Sequence, residues 1–347
     1  MGVDTGAPSV VTSPRRNLAA RLSAWTSSAL ALRRLALASV LANVLIVVTG
    51  GAVRLTNSGL GCPTWPSCSG SSLVPTRKLG INGAIEFTNR TLTFVVGTVL
   101  LLTFIAAWRQ RREARLAAVA LASIPAQALL GGIVVRTDLN PWLVATHFLL
   151  STAIIAVTLL LWWRVSEHRA VQIPSAGIVL ARSTACVAGA VLVIGTVVAG
   201  SGPHAGDLKN GKVHRIHLST SGLAQLHADA VMVLIGVTIG LLALTYALRL
   251  PTVVRQAGWV LVGVELAQGA LGYTQYFLHV PALLVALHML GACLVWLAAL
   301  RLLLLVEPRA VGQSQAASSL PQAASPRTEV VARPATESGP DRSATAS

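Results

Sequence analysis

Three histidines and one asparagine recur at matched places along this chain. His147 follows the segment Gln127-Ala-Leu-Leu-Gly-Gly, and His288 follows Gln268-Gly-Ala-Leu-Gly-Tyr, both at an interval of about 20 residues. Pro141 stands ahead of the first histidine and Pro281 ahead of the second. More loosely, Gly50-Gly-Ala-Val with Ser58-Gly59 corresponds to Gly195-Thr-Val-Val with Ser201-Gly202, and the remaining pair sets Asn89 against His227. Three of four equivalent positions are therefore imidazoles, and the fourth is a carboxamide. All four fall in strongly apolar surroundings, where an ionisable side chain is costly without a partner and marks a functional site by default. A neutral imidazole is a metal ligand, and two on facing helices can grip one metal from both sides.

The elements that must position these residues are membrane helices. The 347 residues are 54% hydrophobic and only 11% charged, with a mean hydropathy of +0.68, which is outside the composition of soluble domains. Apolar stretches long enough to cross about 30 Å of hydrocarbon recur at about 35–53, 91–108, 116–135, 142–163, 183–200, 223–248, 257–277 and 282–306. The expected fold is an all-α integral membrane protein of eight transmembrane helices formed by two duplicated four-helix bundles, residues 35–165 and 176–306. Each half has an even number of spans, so the halves are parallel repeats. Asn89, His147, His227 and His288 should then share a depth near the outer helix ends.

The formal net charge of +15 does not indicate nucleic acid, because the basic residues lie between spans. Arg15, Arg16, Arg21, Arg33 and Arg34 precede the first span. Arg109, Arg111, Arg112 and Arg115 follow the second, Arg164 and Arg169 the fourth, and Arg249, Arg255 and Arg309 fall in the same class of segment. By the positive-inside rule these segments are cytoplasmic, which puts both termini inside a cell membrane. Residues 1–34 read as a cytoplasmic tail without a cleaved signal. Residues 307–347, rich in Pro, Ser, Ala and Thr, read as a disordered cytoplasmic tail.

Haem fits the histidines best: imidazoles coordinate iron from two sides while an apolar macrocycle fills the gap between helices. The plain alternative is an interhelical hydrogen bond at each histidine. A zinc centre fits less well, since it wants three clustered ligands. Haem propionates need cationic partners at the membrane edge, and Arg54, Arg90 and Arg136 at outer helix ends, with Lys209, Lys212 and Arg215 in the third outer loop, supply them. The same side chains also snorkel without a ligand. Cys62 and Cys68 lie in an outer loop where a small disulfide ring is allowed, whereas Cys186 and Cys293 fall within spans and behave as small hydrophobes. Glu86 stands three residues before Asn89 and shares its helix face; it reads either as a proton carrier or as a charge favoured at a helix N-terminus. Asp229 and Glu265 are also inside spans, with ion pairing and proton transfer both open.

The stretch Gly50-Gly-Ala-Val-Arg-Leu-Thr-Asn-Ser-Gly-Leu-Gly-Cys-Pro-Thr-Trp-Pro-Ser-Cys68, then Ile85-Glu-Phe-Thr-Asn-Arg90, then the histidines, resembles the haem A synthase family from about residue 35 to 305. The resemblance implies an enzyme that converts haem O to haem A for cytochrome oxidase, oxidising a ring methyl to a formyl group by successive hydroxylations. It implies haem b held by His227 and His288 in the second half. It places the substrate haem on His147 in the first half, with Glu86 catalytic, and names the farnesyltransferase that makes haem O as a partner. Two departures stand out. Where the family commonly has Glu-x-x-His, this chain has Glu86-Phe-Thr-Asn89, so Asn89 is at most a weak ligand and the substrate iron is expected to be open on one side. The third outer loop lacks the second cysteine pair of some relatives. The Cys62 and Cys68 pair reads as a structural staple or as an exchanging disulfide. Against the enzyme stand two other readings, a bis-histidine b-type membrane cytochrome and a haem transporter or chaperone. The unequal halves favour the enzyme.

Overall fold

A computed structural model describes residues 26–70, 72–204, 206 and 214–308. Eight long helices account for nearly all of it: α1 Ala29–Leu55, α2 Gly80–Arg109, α3 Ala114–Arg136, α4 Pro141–Val165, α5 Ser175–Ser201, α6 Thr220–Ala247, α7 Thr252–Phe277 and α8 Ala282–Leu304. Their starts follow local chemistry. Ser28 caps α1 by accepting from Ala31 N at 3.2 Å, and Ser219 caps α6 by accepting from Gly222 N at 3.3 Å. Asn140 accepts from Trp142 N ahead of Pro141, which needs no amide hydrogen in the first turn.

Several helices outrun the apolar stretches that announce them. α2 begins at Gly80 rather than near 91 and carries Asn82, Glu86, Asn89 and Arg90 in its outer third. α5 begins at Ser175 and includes Arg182. Hydropathy marks only what the hydrocarbon touches, whereas backbone hydrogen bonding continues until a cap or a proline ends it. For the same reason α1 reaches back to Ala29, inside the expected tail.

Seven helices are long and apolar enough to cross a membrane. The exception is α7, which carries Arg255, Gln256, Glu265, Gln268 and Gln275. The molecule is thus a multi-pass helical membrane protein, and the stretch expected to span at 257–277 is a helix of lower hydropathy. Large apolar side chains such as Leu41, Phe94, Leu129, Val193 and Ile239 are exposed, as lipid-facing surfaces require. The helix contacts use small residues, with Ala36, Ala106, Ala107, Ala181 and Ala299 fully buried.

The helices form two closed rings. α1 packs on α2 and α4 while α3 packs on both of those; α5 packs on α6 and α8 while α7 packs on both of those. Between the rings, α1 meets α8, α4 meets α5, and α4 meets α8. If α1 to α4 are matched in order with α5 to α8, exchanging the halves turns the first of these contacts into the second and leaves the third unchanged. That is the symmetry of a parallel duplication.

The architecture is not purely helical. Past α8 the chain forms β2, Val306–Pro308, paired in parallel with β1, Val171–Ile173, in the α4–α5 connection. Ordered structure therefore runs through Pro308, two residues into the segment expected to be disordered, and residues 309–347 lie outside the described residues. On this same face Glu167 bridges Arg33 at 2.9 Å and Arg112 at 3.1 Å, and Arg164 meets Glu113 at 3.1 Å.

Candidate functional site

Each of the four matched positions rests against a glycine of the preceding helix. A Cβ built on Gly131 of α3 would stand 3.3 Å from His147 Cε1, one on Gly195 of α5 would be 3.1 Å from His227 Cε1, and one on Gly272 of α7 would be 3.2 Å from His288 Cε1. The fourth pair is Gly50 of α1 with Asn89 Nδ2 at 3.9 Å. The missing side chains let each ring lie against its neighbouring helix. The matching of Gly50 with Gly195 and of Gly131 with Gly272 is the one the sequence repeat gives. The glutamines match too: Gln127 and Gln268 each donate to the carbonyl of their histidine, at 3.4 Å and 2.8 Å.

The two halves differ at their centres. In the second, the rings of His227 and His288 face each other with centroids 6.5 Å apart and planes at 64°. Two imidazoles on opposite faces of one iron, at metal–nitrogen bonds of about 2 Å, have ring centres roughly 6 Å apart. In the first half His147 is the imidazole and Asn89 stands at the position that matches His227 in the repeat, with Asn89 Oδ1 accepting from Thr49 Oγ1 at 2.8 Å. Nδ1 of His147, His227 and His288 is buried in each case without a hydrogen-bond partner. Buried imidazole nitrogens without partners, flat seats for their rings and the spacing of the second pair all fit haem.

Glu86, expected to be catalytic, stands between the disulfide loop and α2. It is buried, and both oxygens are engaged: Oε2 accepts from Cys62 N at 2.6 Å, and Oε1 accepts from Arg90 Nε at 3.0 Å and Nη2 at 2.5 Å. It lies beyond the first turn of α2, so the helix dipole does not account for it either. Arg90 also donates to the carbonyls of Cys62, Thr64 and Ser67. Its N–H groups are thus directed to the loop and to Glu86. Together these two residues clamp the loop closed by the Cys62–Cys68 disulfide onto α2.

Arg136 Nη2 donates to Trp65 O at 3.1 Å. The indole of Trp65 presses on α3 where Gly132 leaves room; a Cβ there would be 2.5 Å from Trp65 Cδ2. Gly132 adjoins Gly131, the seat of His147, so the loop roofs the outer end of the first half. Arg54 reaches the other long loop, donating from Nε to His204 O at 2.6 Å and from Nη2 to Ala199 O at 2.9 Å. Arg215 donates to Pro203 O at 3.4 Å, and Lys209 and Lys212 lie outside the described residues. Asp229 is exposed and accepts from Gln225 at 2.7 Å, whereas Glu265 is buried against Thr238. Cys293 is buried and Cys186 exposed, both as free thiols.

Sequence reasoning missed the glycine seats, the Thr49–Asn89 bond and the Trp65 roof. The signal for the first was visible, since the glycines recur at one place in each repeat. The other two depend on loop conformation and on which face of α1 turns inward.

Fold and site together define a multi-pass helical membrane protein with two parallel four-helix rings and a repeated glycine seat that an imidazole occupies in three of four places. Residues 33–300 match the sequence profile of the COX15-CtaA family, described as cytochrome oxidase assembly protein. The chain belongs to that family. Relatives named haem A synthase include one from Lysinibacillus sphaericus, 36% identical over 135 residues that make up 38% of this chain and 43% of that protein. Another, from Alkalihalophilus pseudofirmus, is 34% identical over 137 residues, 37% of this chain and 46% of that one. A third, from Listeria welshimeri, is 36% identical over 122 residues, 33% and 40% of the two chains. In each case the match spans less than half of the relative's length.

Proposed function

We propose that this protein is a haem A synthase, an oxidoreductase that takes haem O as substrate and oxidises its ring methyl to a formyl group, giving haem A for cytochrome oxidase. The observation that carries the reading is the inequality of the halves: His227 faces His288 at 6.5 Å, whereas in the first half the position matched to His227 is Asn89, whose oxygen accepts from Thr49. A resident cofactor is retained by two strong ligands. A substrate must be held, oxidised and released, which one ligand and a weakly basic carboxamide opposite allow.

In this reading His227 and His288 hold haem b, which when bound supplies the electron chemistry. His147 binds the substrate's iron, and Gly131 sets the ring that does so. Glu86 and Arg90 are positioning residues: they fix the disulfide loop so that Trp65 covers the site and excludes water. The disulfide is a structural staple in this role. Arg54 and Arg136 retain guanidinium N–H groups beyond those bonded to loop carbonyls and are the candidates for propionate binding.

The proposal includes α7 as an eighth span. The short connections 248–251 and 278–281 join it to α6 and α8, and its 26 residues rise about 39 Å, enough to match them. The arginine-rich connections then face the cytoplasm with both termini, in the cell membrane. The haem O synthase, the protohaem farnesyltransferase, is the partner whose product this chain must receive.

The test is expression in cells that make haem O, followed by extraction and chromatography of the haems. Haem A from the parent chain, with haem O and haem b alone from His147→Ala, is the expected result. Haem b alone from a folded parent while haem O accumulates would make the His227–His288 pair the whole of the chemistry, and the protein a b-type electron carrier.

A further inference from the structure

Glu265 lies near the middle of α7 and is 2% exposed. None of the ion pairs among the described residues includes it. Its Oε1 is 2.9 Å from Thr238 Oγ1 on α6, and its Oε2 is buried without a partner. Thr238 Oγ1 is also 2.9 Å from Leu234 O. A threonine hydroxyl has one hydrogen. If that hydrogen goes to Leu234, the contact with Glu265 is a hydrogen bond only when the carboxyl carries a proton and donates it to Oγ1. If it goes to Glu265 instead, a full negative charge sits in the membrane interior with one oxygen bare, the arrangement a bilayer penalises most. The neutral acid satisfies the row: Glu265 donates to Thr238, and Thr238 donates to Leu234.

One turn toward the outer side lies Gln268. Its Nε2 donates to His288 O at 2.8 Å, and its Oε1 is buried without a partner, in room left by Gly291, whose Cβ would overlap it. Residues three apart share a helix face, so α7 directs Glu265 and Gln268 toward the interior of the second ring. Beside them α6 contributes His227 and α8 contributes His288 as titratable groups. Asp229 of α6 is exposed and bonded to Gln225, and Cys293 of α8 packs instead with Val44 and Val47 of α1.

We propose that Glu265, held by Thr238, is a proton-exchanging site of the second half, a neutral acid whose proton is coupled to the oxidation state of the iron between His227 and His288. The inference rests on the reading that this half holds a haem. Oxidation removes one electron from the iron, to a redox mediator in the experiment below, and leaves an added positive charge. For a carboxyl about 10 Å from such a charge, at an effective dielectric constant near 20, the proton affinity changes on the order of ten-fold. The Glu265 O–H bond then breaks and the proton leaves to water; reduction of the iron reverses both transfers.

The test is a mediated redox titration of the haem-loaded full chain across a range of pH, on the parent, Glu265→Gln and Thr238→Val, with reduced-minus-oxidised infrared spectra of each. The parent's midpoint potential is expected to fall as pH rises. Its difference spectrum should contain a carboxylic acid carbonyl band that Glu265→Gln lacks and Thr238→Val shifts. Glu265→Gln should keep the two-histidine haem spectrum and lose the pH dependence. A pH-independent parent potential with no carboxylic acid band, or a slope unchanged in Glu265→Gln, overturns the inference while leaving the haem site intact. Should Glu265→Gln fail to fold, the parent's own slope and the band shift in Thr238→Val still decide. A chain with no two-histidine haem spectrum overturns the reading of the second half and the coupling with it.

Discussion

Replacing Gly195 or Gly272 by alanine sets two effects against each other in one substitution. Alanine within a helix is favoured over glycine by about 0.5–1 kcal/mol, so the variants should fold at least as well as the parent in that respect. The added Cβ, however, would stand 3.1 Å from His227 Cε1 or 3.2 Å from His288 Cε1, closer than ordinary van der Waals contact, and the ring must move by a few tenths of an ångström. Turning an imidazole about 30° off its preferred torsion to make that room costs about 0.5–1.5 kcal/mol, which corresponds to roughly two- to ten-fold weaker haem binding. Gly240 of α6 and Gly263 of α7 are matched controls, because a Cβ on either meets nothing within 4 Å. Titrating haem into purified haem-free variants and following the low-spin visible spectrum separates the cases. Gly240→Ala and Gly263→Ala should bind as the parent does, Gly195→Ala and Gly272→Ala more weakly, and Gly195→Ala most weakly of all. Equal affinity in all four variants would mean that the rings leave their glycine seats when haem binds, and the account of the site would fail.

Three further outcomes are expected. Asn89→His should convert the first half to a two-histidine site, since the new ring has Gly50 to rest on as His227 has Gly195; a low-spin substrate haem with full synthase activity would refute the idea that Asn89 keeps one face open. Glu86→Gln removes the charge opposite Arg90 and should destabilise the outer loop by about 2 kcal/mol, read as faster reduction and alkylation of Cys62 and Cys68, with the His227–His288 spectrum unchanged. At the end of the bundle that carries the strand pair, Arg33 first, then Arg112, hold Glu167 below its usual carboxylate pKa. The tie therefore contributes fully above that usual value and is lost as pH falls through the lowered one, so thermal stability should drop slightly on acidification below about pH 4, less in high salt, and Glu167→Gln should remove that part of the dependence.

The repeat was legible because two constraints act on the same residues. Gln127 and Gln268 bind the backbone of the histidine helix, and Gly131 and Gly272 seat its ring, so the interval from glutamine to histidine is fixed by helix packing. Span counting was legible to the extent that lipid touches the helix. It failed to delimit α2 and α5, whose outer or inner thirds are polar, and left α7 below the others because its interior face carries Glu265, Gln268 and Gln275. The partners of Glu86 were hidden for a different reason. Its spacing from Asn89 is correct for a shared face, but Arg90 one turn on and the Cys62 amide compete for the carboxylate, and nothing in the spacing says that the loop folds back over α2. The same fold-back puts Trp65 on Gly132, a contact between residues far apart in sequence. The strand pair of Val171–Ile173 with Val306–Pro308 is likewise non-local, and three-residue strands leave almost no pattern.

The two-ring plan also bears on why unequal sites would sit in equal frames. A parallel duplication gives both sites the same depth and brings α1 against α8 and α5 against α4 by symmetry. At the first of these contacts Met289 fills the space beside Gly51, where a Cβ would lie 2.5 Å from its sulfur. Met289 follows His288, and Gly51 follows the seat of Asn89, so on the proposed function the helix holding the cofactor touches the helix behind the substrate site one residue from each. Trp296 adds a second tie, donating from Nε1 to Thr152 O at 3.0 Å. Asparagine rather than histidine at position 89 then changes what the first site can bind without moving it relative to the second. The outer loops carry the rest of the difference: one is closed by a disulfide and clamped by Glu86 and Arg90, the other is fastened by Arg54 across the rings. An electron carrier has no use for a covered, single-ligand site beside a two-ligand one, whereas an enzyme that uses one haem to help oxidise another needs both at a fixed separation.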